Sequence, residues 1–222
     1  MRRKTEKIKK FRKRQTAKKE REKIKIDVKL FGRWDSNIEV RDPSLKGYLN
    51  VDARILPRSA GRHRKPFHKS KMHIIERLAL HLMVPGHTGR KHKITSGTFG
   101  GQLYNSLRSV EQTLEIIEKK VADVNPVEVV VRAIENSALT EEIISYQMGS
   151  IMAREAVVTS PQRRIDKTLR FFAQGAYRKS FNTKKSISEA LADEIIAAYN
   201  SSTDSTAVRE KQRIEREAAG AR

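Results

Sequence analysis

Leu103, Leu107, Val110, Leu114, Ile117, Val121 and Val124 return at alternating steps of four and three residues. That period winds one apolar stripe along a helix, and such a stripe is buried only against other helices. Three heptads allow a coiled coil, but a single stripe of this length more often belongs to a bundle. The flanks extend the pattern. Asn125 stands where it can cap a following helix, Pro126 takes the first position and Glu128 the third, with Val127, Val130, Val131 and Ile134 inward. Upstream, Ile74, Ile75, Leu78 and Leu82 keep helical spacing until Pro85-Gly86 ends it. Downstream, Ser160-Pro161 opens a helix with Ile165, Leu169, Phe172 and Ala176 inward. Ser186 and Glu189 form a capping box for "SISEALADEIIAAYN", and the charged tail from Thr203 continues as helix. One stretch breaks the rhythm: Ile144, Tyr146 and Met148 alternate, Gly149-Ser150 can turn, and Ile151, Ala153, Val157 and Val158 follow. The fold expected is mainly α: a bundle of about six helices over 71–222, with one protruding β-hairpin at about 142–158. An extended basic N-terminal arm precedes it. Turn-rich residues 31–70 would wrap the bundle, and residues 1–30 form a basic extension.

Charge decides what such a bundle is for. The chain carries 47 Lys and Arg against 26 Asp and Glu, a net +21 over 222 residues. Residues 1–30 hold fifteen of those cations and four acids (15 − 4 = +11) and too few apolar residues to fold alone. They are expected to stay disordered unless RNA-bound. An excess of this size calls for a polyanionic partner. No run approaches the 18 or so apolar residues of a membrane span, so no membrane is expected. Cysteine is absent, which excludes disulfides and thiolate zinc sites.

Three clusters concentrate the cations. The first lies in "LPRSAGRHRKPFHKSK": Arg58, Arg62, Arg64, Lys65, Lys69 and Lys71, with no acid until Glu76. The second is Arg90, Lys91 and Lys93, with His87 and His92 beside them. The third is a rail of Arg163, Lys167 and Arg170 at i, i+4 and i+7, flanked by Arg164, at a helix N-terminus whose free amides also favour anions. Arg178, Lys179, Lys184 and Lys185 follow it. One cluster alone usually means a solvated face. Three nearly acid-free clusters point to nucleic acid, and their placement on loops, an arm and helix ends suits folded RNA better than a duplex groove. All six histidines fall between His63 and His92, yet no metal-ligand spacing links them and the surrounding cations disfavour a metal. The sequence offers no nucleophile motif, phosphate-binding loop or paired carboxylates, so neither catalysis nor a cofactor is expected.

The strings "SAGRH", "ERLALHLMVPG", "NPVEVVVRAIENSA", "SPQRR" and "SISEALADEIIAAYNSS" occur in the order and spacing of the universal small-subunit ribosomal protein S seven family. "KLFGRW" and "LPRSAGRH" resemble its archaeal type, whose eukaryotic counterpart is small-subunit protein S five. The resemblance implies a structural constituent of the cytoplasmic small ribosomal subunit. Such proteins bind the three-prime major domain of small-subunit ribosomal RNA and nucleate assembly of the head. It further implies that exit-site tRNA, departing mRNA and platform protein S eleven lie near the hairpin and C-terminal region. The family hairpin usually carries cations on both strands; here Arg154 is the only one between Glu141 and Ser160. The alternatives are an extra-ribosomal basic nucleic-acid-binding regulator and a histidine-dependent metallonuclease.

Overall fold

Among the described residues, three of the six α-helices begin where a neighbouring residue supplies a side-chain cap. In a computed structural model describing residues 28–86 and 100–221, α1 spans Ile74–Leu82, α2 Leu103–Lys120, α3 Pro126–Ser137, α4 Pro161–Ser180, α5 Ile187–Tyr199 and α6 Thr206–Ala219. A two-stranded antiparallel hairpin, β1 Glu141–Met148 and β2 Ile151–Val158, stands between α3 and α4. The second cationic cluster, with His87 and His92, and residues 1–27 of the leader lie outside the described residues.

Asn125 accepts the Val127 amide at 3.0 Å and starts α3, with Pro126 in its first turn. Both arms of the Ser186–Glu189 box close at 3.2 Å to start α5. Ser160 makes no side-chain cap, so α4 begins on Pro161 alone, whose ring fixes a helical φ without an unsatisfied amide. The stripe of α2 outruns its helix. Val121 leaves helical geometry at φ −126°, and Val121 and Val124 pack half-buried from the turn that follows.

α5 lies against α2, α3 and α4. Ala190, Leu191, Ala192, Ile195 and Ala198 bury it on several sides, as a central helix requires. α1 packs on α2 and α4, and α6 packs on α4 and the hairpin. Residues 28–73 contain no α-helix, only a short 3₁₀ turn at His68–Lys71. They are still part of the core: Leu30, Trp34, Val40, Leu45 and Leu49 join the same buried cluster, each contributing about 1.5–3 kcal/mol of apolar burial. Their irregular backbone is bonded to the bundle. Glu135 accepts the Arg41 and Asp42 amides at 2.6 and 3.1 Å, and Asn125 donates to the Asp35 carbonyl at 2.8 Å.

The hairpin register pairs Glu141 with Val158 and Met148 with Ile151 around Gly149, which adopts φ +59°. Directly opposed residues share a face, so Glu142, Ile144, Tyr146 and Met148 lie on one side with Val157, Glu155, Ala153 and Ile151.

α6 takes its cap from another helix. Buried Glu194 of α5 accepts the Thr206 amide and hydroxyl, both at 2.8 Å, while Ser205 makes no side-chain cap. The carboxylate fits because α4 has Gly175 beside it; a Cβ there would meet Glu194 Oε1 at 2.3 Å. Alanine is the better helix former by about 1 kcal/mol, but this crowding outweighs it. Gly175→Ala should lower unfolding free energy by about 1–3 kcal/mol, measured by urea denaturation; an unchanged midpoint would show that the carboxylate moves freely.

His73 caps α1 by accepting the Ile75 amide on Nδ1 at 3.2 Å, and it is fully buried. Burial, with Arg54 nearby, pushes its imidazole down to about 4. In the unfolded chain it takes a proton near 6.5, so the fold is fully supported above that pH. Stability then declines toward pH 4 by about 1.4 kcal/mol per unit from this group. His73→Asn keeps a capping oxygen and removes the titration. The variant should show a flatter pH–stability curve between 4 and 6.5 than the parent; matching curves would exclude His73 as the source.

Candidate nucleic-acid interface

The first and third cationic clusters, about a hundred residues apart in the chain, face one another. Between them runs an open groove of about 510 Å³. His63, Lys65, Phe67 and Lys69 line one wall, and Arg163, Asp166, Lys167 and Arg170 of α4 line the other. Five cations stand there against Asp166 and the adjacent Glu142, a local excess of +3 (5 − 2).

Acids placed beneath the surface hold this charge together. Glu76, 2% exposed, accepts the Ser59 amide and hydroxyl at 2.8 and 2.7 Å and pins the start of the first cluster to α1. Asp166 lies between Lys69, Arg77 Nη2 at 3.0 Å and His81 Nε2 at 3.8 Å. Burial would raise its carboxyl, but His81, Lys69 and Arg77 outweigh burial and hold it well below the ordinary carboxylate range. Arg77 is itself buried and donates its other terminal nitrogen to the Tyr48 carbonyl at 3.0 Å. One carboxylate thereby joins α1, α4 and the strap leading into α1.

Glu142 of β1 does the same for the hairpin. It receives Arg163 Nε at 2.5 Å and pairs with Lys167 Nζ at 3.1 Å. Burial works against its charge, yet the two cations keep the carboxyl below its usual value. Arg163 stays largely exposed and still lines the groove.

Adjacent Arg164 points the other way. Its guanidinium donates to the Leu139 carbonyl and the Ser44 hydroxyl, both at 2.5 Å, and reaches Asp42 Oδ2 at 3.3 Å. Only 13% of its side chain is exposed, so it ties the arm to α4 and has little left for an outside anion. Lys179 is drawn to buried Glu194 at 3.2 Å, and Lys185 pairs with Asp193. Arg58, Arg62, Lys65, Lys71, Arg154, Arg170, Arg178 and Lys184 are exposed. Arg64 donates to the Gly61 carbonyl at 3.0 Å. Arg154 sits on the hairpin face opposite to Glu142, and Arg58 lines a separate cleft with Phe31 and Tyr104. Among the described residues no three His, Asp or Glu converge as a metal cage, and no helix is long and apolar enough to cross a membrane.

Asp166, Arg77 and Phe67 were not singled out by sequence reasoning. The first had a signal: it is the only acid between Pro161 and Ser180. So did the second, a charge beside Leu78 in an otherwise apolar stripe.

Fold and groove define a cationic helical scaffold with no catalytic constellation among its described residues. The chain belongs to the ribosomal protein S7p/S5e family, whose model matches residues 47–222. It is 47% identical to small ribosomal subunit protein uS7 of Nanoarchaeum equitans over 199 residues, covering 89% of this chain and all of that protein. Its identity to the uS7 proteins of Methanothrix thermoacetophila and Methanococcus maripaludis is 43% and 42%, over 88% and 89% of this chain and the whole of each relative. It is a structural, non-enzymatic constituent of the cytoplasmic small ribosomal subunit.

The two kinds of cation separate in stability measurements. Arg164→Gln should lose roughly 2 kcal/mol, because Asp42 and the Leu139 carbonyl lose their partner. Lys65→Gln combined with Arg170→Gln should leave the unfolding temperature within a degree or two. A stable Arg164 variant would return that residue to the binding surface.

Proposed function

We propose that this protein clamps the three-prime major domain of small-subunit ribosomal RNA and helps nucleate assembly of the subunit head. The observation that carries this reading is the convergence of Lys65, Lys69, Arg163, Lys167 and Arg170 on one groove. These side chains are mounted on a strap and a helix that interior carboxylates hold rigid. Affinity comes from phosphate neutralisation and counterion release; specificity comes from fixed geometry matching a folded RNA shape. Arg62, Lys71, Arg178 and Lys184 extend the contact beyond the groove.

The hairpin has a different role in this reading. Ile144, Tyr146, Met148 and Ile151 are exposed on one face, and a lone cation serves the whole element. That surface suits an apolar contact with a neighbouring protein, such as platform protein S eleven, near exit-site tRNA and the mRNA path. Phosphate would be repelled by Glu155 on the same face.

Binding of the full chain to a transcript of the three-prime major domain tests the clamp. Eight neutralised phosphates correspond to a log–log salt slope of about −6 to −7. Lys65→Gln with Arg170→Gln should make it shallower by about two. An affinity nearly independent of salt would overturn the reading.

A further inference from the structure

Phe67 is 77% exposed and lines one wall of the cationic groove. Its backbone is left-handed, at φ +61°, a region that bulky residues avoid and that costs about 1–3 kcal/mol unless the surroundings enforce it. The surroundings do enforce it. The Phe67 carbonyl accepts the Ser70 amide at 3.2 Å and the Ser70 hydroxyl at 2.8 Å, and the next amide, of His68, donates to the Lys65 carbonyl at 3.1 Å. Phe31 is the informative contrast. It too has positive φ, +51°, but its ring packs edge-on against Trp34 at 6.0 Å. Strain at Phe31 accompanies a packed ring, whereas strain at Phe67 presents an apolar ring to solvent among Lys65, Lys69, Arg163 and Arg170.

An isolated exposed aromatic is ordinary. One held in a strained conformation, in a groove that five cations line against the single carboxylate of Asp166, has the chemistry of a single-stranded nucleic-acid platform: a ring for a base face and charges for the phosphates on either side. A duplex would leave the ring unused, since its bases are stacked inward. An acidic peptide would satisfy the cations but not the ring.

We propose that Phe67 is a stacking platform for an unpaired RNA base, with the flanking phosphates on the Lys65–Lys69 and Arg163–Arg170 walls. This rests on the RNA-clamp reading and adds the strandedness of the RNA that enters the groove. Stacking and phosphate contact leave different signatures. Loss of a cation makes the salt slope shallower, whereas loss of a stacked ring weakens binding at every salt concentration and leaves the slope unchanged.

Phe67→Gly suits the test, because glycine accepts positive φ without strain. The variant chain should keep or raise its unfolding temperature. Its affinity for the three-prime major domain transcript should fall about 5- to 100-fold, the range of one stacked base, with an unaltered slope. Phe67→Trp should restore affinity to at least the parent level. Unchanged affinity in Phe67→Gly would overturn the platform while leaving the clamp standing. A shallower slope would also overturn it, because the loss would then lie in phosphate contacts. Failure of the parent chain to bind the transcript would remove the clamp and the platform together.

Discussion

A few carboxylates beneath a cationic surface make this fold possible. With 47 Lys and Arg against 26 acids, at least 21 positive side chains cannot have an acid to themselves (47 − 26 = 21). The acids that matter are placed where two segments meet. Glu76 fixes the strap to α1, Asp166 joins that strap to α4, Glu142 joins the hairpin to α4, and Glu194 joins α5 to α6. Glu76 and Glu194 satisfy a backbone amide, Asp166 an interior cation, and Glu142 two cations of the groove wall. Removing one partner from such a pair would strand a charge in low dielectric, which is why these contacts outweigh exposed ion pairs of the Arg213–Glu217 kind.

The elements legible in the sequence are those whose determinants are local. Asn125-Pro126 and Ser186-Glu189 announce their helices because cap and capped amide lie within three residues. The hairpin was legible because alternation and a two-residue turn coincide. What escaped depends on distant partners. The cap of α6 comes from Glu194 in another helix, and no local pattern contains it. The end of α2 was blurred because Val121 and Val124 remain half-buried after the helix stops; apolar spacing reports burial and not dihedral angles.

Site residues divide on the same principle. Arg163 and Arg164 are neighbours in the chain and look alike as a basic pair, but successive helical residues point about 100° apart. One therefore borders the groove and the other enters the seam between the arm and α4. Composition located the cationic helix, and only packing told the two guanidinium groups apart. Glu142 adds a link between regions: because it holds Arg163 and Lys167, the base of the hairpin and the groove wall share one electrostatic contact.

The arm offers one more consequence through its single tryptophan. Trp34 is 4% exposed, with Phe31 against its edge and the Arg33 guanidinium 5.3 Å from its ring centroid. Every indole photon therefore originates in the irregular segment, and none in the helices. Emission wavelength follows undocking of the arm while far-ultraviolet ellipticity follows the bundle. Comparing the two melting profiles shows whether the wrapped segment and the helices come apart as one cooperative body.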